Sequence, residues 1–257
     1  MVLEHKGIPV FYTDTGNGVA VVLLHGFLEN SSIWSVFIPT ISQKNRVICI
    51  DLLGHGKTGC LGYINTMDKM ADAVYTVLDH LKIKKFYVLG HSMGGYVALA
   101  LAKKHQNNIE GLCLINSTAR ADTTEKKLNR DRAIKAVKEN HKTFIKIAIT
   151  NLFNSENHSV FSEEIKAIKQ EALKTPLQGI IAALEGMKIR KNNTSYFRNY
   201  TFKKMIILGK EDPVLDYNTV VNETYNTNIE IVLFPDGHMS YIENKEELLH
   251  KIMYFIE

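Results

Sequence analysis

The sequence contains little cysteine and little proline. Only 3 cysteines and 5 prolines occur among its 257 residues. Three thiols cannot all pair with one another, and Cys49 and Cys113 lie within apolar runs, so we interpret these two as buried core residues. This cysteine usage excludes the class of small domains held together by several disulfides. It is typical of a protein of a reducing compartment, and we expect a cytoplasmic location.

Long apolar segments and a strong net charge are also missing. No stretch approaches the roughly 18 apolar residues that a membrane-spanning helix needs, and residues 1–9 lack the basic and apolar regions of a secretory signal. We therefore expect no membrane span. The 31 basic residues exceed the 27 acidic ones by only 4, so the charge gives no reason to expect nucleic acid as a partner.

Apolar residues make up 45% of the chain, which is enough for the core of one large domain. Short apolar runs with turn residues at their ends are typical of strands buried on both faces of a sheet. These runs are 19–24, 47–50, 86–89, 112–115, 205–208 and 229–234. Helical patterns separate them, for example at 67–81, where Asn65 is the predicted N-cap. Segment 8–13, followed by a turn at 14–18, is predicted to be a hairpin arm.

This alternation predicts an α/β fold with a mostly parallel, doubly wound sheet. It stops at about Arg120 and resumes at Met205. In the gap, Asp122 is the predicted cap of a long helix, Ser162 begins a second helix, and the Thr175-Pro176 pair opens a third. We therefore predict a helical insert at residues 119–201, after the sixth strand, and a core formed by residues 1–118 and 202–257.

The most informative motif is Gly-His-Ser-Met-Gly at 90–94, between an apolar run and a helical pattern. A serine hydroxyl is a weak nucleophile, so catalysis needs it at a sharp bend that a base can reach. Glycines at 90 and 94 permit such a bend because a Cβ there would crowd the neighbouring strand or helix. We interpret Ser92 as a candidate nucleophile, and an ordinary glycine-rich turn is the alternative.

Ten histidines compete for the role of general base. His238 follows the apolar run 229–234 through Pro235-Asp236-Gly237, so it should lie on a loop at the carboxyl end of a strand. That edge is where an open α/β sheet binds its ligands. We therefore favour His238 as the base, and a loop histidine without function is the alternative.

Four separated segments resemble the α/β-hydrolase superfamily. They are Leu-His-Gly-Phe at 24–27, Asp-Leu-Leu-Gly-His-Gly at 51–56, Gly-His-Ser-Met-Gly-Gly at 90–95, and Gly-Lys-Glu-Asp-Pro-Val at 209–214 followed by Gly-His at 237–238. They span almost the whole chain in the expected order. The resemblance implies a mostly parallel sheet under a helical cap, and the insert falls where this superfamily carries that cap.

The resemblance also implies the remaining site residues. Asp212 matches the acid that orients the histidine, with Glu211 and Asp236 as the neighbouring alternatives. Some relatives carry the acid after the sixth strand, but that position reads Asn-Ser at 116–117 here, which favours Asp212. The backbone N–H groups of Phe27 and Met93 are the implied oxyanion hole.

The predicted activity is that of a serine hydrolase on a small carboxylic ester, thioester or lactone, through an acyl-enzyme intermediate. The serine at the elbow argues against the haloalkane dehalogenase and epoxide hydrolase branches, which resemble this fold but carry aspartate there. Cleavage of a carbon–carbon bond, perhydrolase chemistry and lyase activity on the same triad stay open, as does a receptor that binds a small ligand without turnover.

No cluster has the spacing of a zinc site, and no phosphate-binding glycine motif follows a strand, so we expect no metal and no nucleotide cofactor. The expected partner is a small acyl substrate. Trp34, Phe144 and Ile149 are the candidate substrate-binding residues. An apolar stripe such as the one that contains Phe144 and Ile149 also occurs on a helix face that simply packs against its neighbour.

Overall fold

A computed structural model describes all 257 residues, and eight strands form a single sheet. The strands are β1 (Val2–His5), β2 (Ile8–Thr15), β3 (Val19–Leu24), β4 (Asn45–Ile50), β5 (Phe86–His91), β6 (Ile109–Ile115), β7 (Lys203–Gly209) and β8 (Glu230–Phe234). Their order is β1-β2-β4-β3-β5-β6-β7-β8. Strands β3 to β8 run parallel to one another, whereas β1 pairs antiparallel with β2, and β2 pairs antiparallel with β4. The prediction of a mostly parallel α/β sheet is confirmed.

Helices connect most of the strands. They are α1 (Ile38–Ile41), α2 (Met67–His80), α3 (Met93–His105), α4 (Thr124–Thr150), α5 (Ser162–Ala172), α6 (Leu177–Lys188), α7 (Thr194–Asn199), α8 (Tyr217–Thr224), α9 (Ser240–Glu243) and α10 (Lys245–Ile256). Short 3₁₀ helices occur at Ser31–Trp34, Gln106–Asn108 and Ser155–Asn157. None of the helices combines the length and the apolar character that crossing a membrane requires.

The core consists of two apolar clusters, one on each face of the sheet. Val22 and Leu24 of β3 belong to the larger cluster, whereas Val21 and Leu23 belong to the smaller one. Successive side chains of a strand point to opposite faces, so a strand that is buried on both faces reads as an uninterrupted apolar run. Cys49 and Cys113 are buried and unpaired, as predicted.

The N-terminal arm differs from its prediction. Strand β2 forms its hairpin with β1, through a turn at Lys6 and Gly7, and pairs along its second half with β4. Residues 14–18 close no hairpin, because β3 lies beyond β4 in the sheet. A four-residue strand before a glycine carries too little pattern to be recognised in the sequence.

Two helix caps are also shifted by one residue. The side chain of Thr66, not that of Asn65, caps α2 by accepting the Lys69 N–H. The side chain of Thr123, not that of Asp122, caps α4. In both places a polar residue precedes the true cap, and a buried partner engages it: Asn65 donates to the Leu53 carbonyl, and Asp122 binds two arginines, Arg130 and Arg190.

Helices α4 to α7 occupy the chain between β6 and β7, and no strand interrupts them. Helix α4 bends at Asn140, whose backbone leaves the helical conformation. Helix α6 lies close against the rest of the molecule: a Cβ on Gly179 would lie 2.0 Å from the Gly54 carbonyl oxygen, and one on Gly186 would lie 1.9 Å from that of Asn65. Glycines therefore set the distance between α6 and the loops that it covers.

We expect Gly179→Ala to destabilise the protein. Alanine favours a helix interior over glycine by about 1 kcal/mol, but overpacking against a backbone oxygen typically costs about 1–3 kcal/mol. Urea denaturation should therefore show a net loss of up to about 2 kcal/mol in the free energy of unfolding. Gln178→Ala, at the exposed neighbouring position of α6, is the matched control and should stay within about 0.5 kcal/mol. A more stable Gly179→Ala variant would contradict the close contact.

Candidate active site

Ser92 lies at a strained turn between β5 and α3. Its backbone has φ 50° and ψ −115°, a conformation that side-chain-bearing residues rarely adopt. The turn leaves no space for side chains on either side: a Cβ on Gly90 would lie 2.4 Å from the Gly94 backbone, and a Cβ on Gly94 would lie 2.5 Å from the Leu24 carbonyl oxygen. The motif therefore holds the serine out of the helix and directs its hydroxyl away from the strand.

His238 lies between Ser92 and Asp212. Its Nε2 is 2.8 Å from the Ser92 Oγ, and its Nδ1 is 2.7 Å from the Asp212 Oδ2. A ring that is protonated at Nδ1 donates to the carboxylate and leaves the Nε2 lone pair free to accept the serine proton. The three residues that the sequence singled out are thus brought into one hydrogen-bonded chain, although 146 positions separate Ser92 from His238.

Asp212 is buried and fully hydrogen-bonded. Its Oδ1 accepts the backbone N–H groups of Val214 and Leu215, at 2.8 and 3.0 Å. Burial alone would raise the pKa of this carboxyl, but the adjacent His238 ring and the backbone donors outweigh burial and hold the pKa below its ordinary value. Of the alternatives, Glu211 is exposed, and Asp236 accepts hydrogen bonds from Asn157 and Asn244 instead.

Asn116 is a member of the site that the sequence analysis did not identify. It follows β6, is fully buried, and adopts φ 45°. Its side-chain amide donates to the Asp212 Oδ2 and to the Gly237 carbonyl oxygen, each at 3.2 Å. Asn116 therefore links the acid to the loop that carries His238. The only sequence signal was its position, at the strand end where some relatives carry the acid.

The loop after β3, residues 25–29, lies directly beside the nucleophile, and we call it the oxyanion loop. A Cβ on Gly26 would lie 3.1 Å from the Ser92 Cβ. The Phe27 amide therefore belongs to a segment adjacent to Ser92, and the Met93 amide opens α3 immediately after it. The buried Glu29 of this loop contacts His91, at 3.0 Å. Sequence reasoning missed both of these residues, although His91 stands inside the motif.

The predicted role of Trp34 in substrate binding is wrong. Its side chain is fully buried in the smaller core cluster and packs edge-to-face on Phe37. A cavity of about 450 Å³ borders the same segment, but Ile33 and Val36 face it. In this 3₁₀ turn the tryptophan points toward the sheet and its neighbours point outward, and a single aromatic residue in a loop carries no periodicity that reveals this.

Phe144 and Ile149 lie on α4. Ile149 is fully buried, and Phe144 is half-buried and borders a shallow groove on the insert. Ile149 belongs to the larger apolar cluster, which also contains Met93 and has Phe27 and Phe144 packed against it. No group of three or more His, Cys, Asp or Glu side chains is arranged to bind a metal ion.

The chain as a whole is similar to known proteins. A family model described as "alpha/beta hydrolase fold" matches residues 19–245. A thermophilic esterase from Thermogutta terrifontis has a similar structure, with TM-score 0.92 and 29% identity over 99% of this chain and 96% of that one. An enol-lactonase from Burkholderia xenovorans LB400 follows, with TM-score 0.91 and 22% identity over 100% of this chain and 99% of that one.

Two curated relatives align with most of the chain. The chain is 24% identical over 244 residues to the dihydrolipoyllysine-residue acetyltransferase component of the acetoin cleaving system of Pseudomonas putida. That alignment covers 93% of this chain but 64% of the relative, so the chain spans less than two thirds of that protein. It is also 21% identical to the 2-hydroxy-6-oxo-6-(2'-aminophenyl)hexa-2,4-dienoic acid hydrolase of Metapseudomonas resinovorans, over 97% of this chain and 88% of that one.

The strain at Ser92 predicts a stability difference between two variants that both lack the hydroxyl. Alanine retains a Cβ in the strained conformation, which costs about 1–3 kcal/mol, whereas glycine relieves this strain and loses about 0.5–1 kcal/mol through its flexibility when unfolded. Ser92→Gly should therefore exceed Ser92→Ala by about 1 kcal/mol in the free energy of unfolding, measured in urea. Equal stability, or a more stable Ser92→Ala, would contradict the strained turn.

Proposed function

The chain belongs to the alpha/beta hydrolase fold family, and from this membership we propose that it is a serine hydrolase that cleaves a small carboxylic ester through an acyl-enzyme intermediate. The observation that carries the proposal is the hydrogen-bonded chain from Ser92 through His238 to Asp212. Its geometry supplies a nucleophile, a base within reach of the nucleophile, and a carboxylate that orients the base.

In the proposed reaction, the Ser92 Oγ attacks the ester carbonyl carbon while the His238 Nε2 takes the hydroxyl proton. The Asp212 carboxylate stabilises the resulting imidazolium, and the amides of Phe27 and Met93 donate to the oxygen that becomes negatively charged. Collapse of the tetrahedral intermediate breaks the bond to the alcohol oxygen, which leaves with the proton from His238. Water, activated by the same histidine, then attacks the acyl-serine and releases the carboxylic acid.

The insert, residues 119–201, is proposed to act as a cap over this site. Two contacts support the proposal. The backbone N–H of His238 donates to the Leu152 carbonyl oxygen at 2.8 Å, and α6 packs against the loops at Gly54 and Asn65. Phe144 and Ile149, on α4, are the proposed lining of an acyl pocket, because they share an apolar cluster with Phe27 and Met93.

The similarity to the esterase favours a carboxylic ester, rather than a thioester, as the substrate. The similarity to the enol-lactonase shows the fold alone, but a lactone is a cyclic ester and would be cleaved by the same chemistry. The Metapseudomonas resinovorans hydrolase makes carbon–carbon bond cleavage the second candidate, since it is similar along nearly the whole chain. Thioester hydrolysis, perhydrolase and lyase chemistry would use the same three residues. A cytoplasmic location is part of the proposal, because Cys49, Cys60 and Cys113 are all unpaired.

A panel of p-nitrophenyl esters of increasing acyl length tests the proposal. Wild-type protein should show turnover on the short esters, and Ser92→Ala should lower kcat by at least about 10³-fold because the nucleophile is lost. Ser162→Ala, at the exposed start of α5, is the matched serine control and should retain the wild-type kcat. Comparable turnover by Ser92→Ala would contradict the proposal. Ligand-induced stabilisation of wild type without turnover would favour a receptor.

A further inference from the structure

A buried cluster outside the catalytic triad joins three of the loops that form the site. Glu29 of the oxyanion loop has a side chain that is only 1% exposed. Its Oε2 accepts the Gly26 N–H at 2.5 Å and faces the His91 Nδ1 at 3.0 Å, and its Oε1 accepts the Tyr241 hydroxyl at 3.2 Å. Every oxygen of this carboxyl group therefore has a donor.

Both ring nitrogens of His91 face oxygen acceptors. The Nδ1 faces the Glu29 carboxyl group, and the Nε2 is 2.9 Å from the backbone carbonyl oxygen of His238. Carbonyl and carboxylate oxygens only accept hydrogen bonds, and a neutral imidazole carries one N–H. Both contacts are satisfied when His91 is an imidazolium and Glu29 a carboxylate, or when the Nδ1 of a neutral His91 accepts the proton of a neutral Glu29. Because both oxygens of Glu29 already accept hydrogen bonds, from Gly26 and from Tyr241, the ion pair is the favoured state.

Burial acts against this ion pair, because a buried group favours its neutral form. For His91 the charge and hydrogen bond of Glu29 outweigh burial, and its pKa lies above the ordinary histidine value. For Glu29 the balance has the same sense: the charge of His91 and the donated hydrogen bonds hold its pKa below the ordinary value. A buried pair is retained at this cost when its charges and hydrogen bonds are matched.

The other titratable groups around His91 supply no alternative counterion in direct contact. Burial raises the pKa of Tyr241, so this residue stays neutral, and burial lowers the pKa of His25, which is neutral as well. The centroids of the His91 and His238 rings are 5.3 Å apart, and Asp212, which is hydrogen-bonded to His238, raises the pKa of His91 less than Glu29 does. Glu29 is therefore the group that determines the charge of His91.

We propose that the ion pair of Glu29 and His91 positions the catalytic residues: it holds the backbone of His238 so that the His238 ring stays within hydrogen-bonding distance of Ser92. His91 directly precedes Ser92, and its Nε2–H holds the His238 carbonyl group. Glu29 in turn holds the Gly26 amide, next to the proposed oxyanion donor Phe27. One buried pair thus ties the nucleophile, the base and the oxyanion loop together. The inference rests on the proposed function for its effect on rate.

The first test is the protonation state of His91 in the intact wild-type chain. In ¹⁵N spectra of histidine-labelled protein, assigned by the signals lost in His91→Gln, both ring nitrogens of His91 should be predominantly protonated at about pH 6.5, where an ordinary histidine is half neutral. An unprotonated His91 nitrogen at that pH would overturn the proposal. No substrate is needed, so the result does not depend on whether an ester is hydrolysed.

The second test removes the charge of Glu29 and keeps its shape. In Glu29→Gln, the amide oxygen has to face the Gly26 N–H, so the His91 Nδ1 still faces an acceptor. A neutral His91 carries one N–H and can then donate either to that oxygen or to the His238 carbonyl, which loses its donor in part. We expect kcat to fall by about tenfold to 100-fold, as for the loss of a charge-assisted hydrogen bond, with KM changing by less than about threefold. The low-field proton resonance of the His238 Nδ1–H should shift as well. Glu223→Gln, a carboxylate that pairs with Arg120 at the surface, is the matched control and should leave kcat and the resonance unchanged.

Wild-type kcat together with an unshifted His238 resonance in Glu29→Gln would overturn the proposal. If the protein hydrolyses no ester at all, the proposed function fails while the resonance still decides the positioning role. If Glu29→Gln does not fold, the pH profile of wild type decides. The imidazolium is present below the raised pKa of His91, so kcat should fall as the pH rises through the pKa measured for that residue, and a profile that is flat across that pKa contradicts the proposal.

Discussion

The proposed catalysis depends on the contact between the His238 Nε2 and the Ser92 Oγ, which are 2.8 Å apart. A serine hydroxyl does not ionise near neutral pH, so it becomes a nucleophile only when a base takes its proton during attack. The strained turn fixes one side of this contact, and Asp212 fixes the other through the His238 Nδ1. In the proposed mechanism neither Ser92 nor His238 acts without the other, and hydrogen bonds with Asn116 and Leu152 hold the loop of His238 in place.

The loop that carries His238 is held from several sides. The backbone N–H of His238 donates to the carbonyl oxygen of Leu152 in the insert. The side-chain amide of Asn116 donates to the carbonyl oxygen of Gly237, the residue before His238. Glu243, at the end of α9, accepts the backbone N–H groups of Asn154 and of Met239, so its side chain bridges the insert and the residue that follows His238. Any movement of the insert at this point would therefore move the base. Packing and hydrogen bonding together give the imidazole a fixed position before a substrate arrives.

The sequence predicted those parts of the structure that have a local signal. Runs such as 19–24 matched β3 because a strand buried on both faces leaves an uninterrupted apolar pattern. Ser92 was recognisable because a sharp bend between a strand and a helix needs glycines on both sides of the serine. His238 was recognisable because it follows the apolar run 229–234, at the carboxyl end of a strand. Asn116 and Glu29 had no such signal: neither was singled out by its neighbours in the sequence, and only the fold shows the partners that they meet, 96 and 62 positions away. Trp34 was misassigned because nothing local specifies the direction of a lone aromatic side chain.

Labelling by a fluorophosphonate, which reacts with a serine that a base activates, measures directly whether His238 activates Ser92. Intact mass and peptide mapping should find a single adduct on Ser92 in wild type, and His238→Gln should slow its formation by at least about 100-fold because the base is lost. The contradicting result is labelling of another serine, or labelling of Ser92 at the same rate in both proteins.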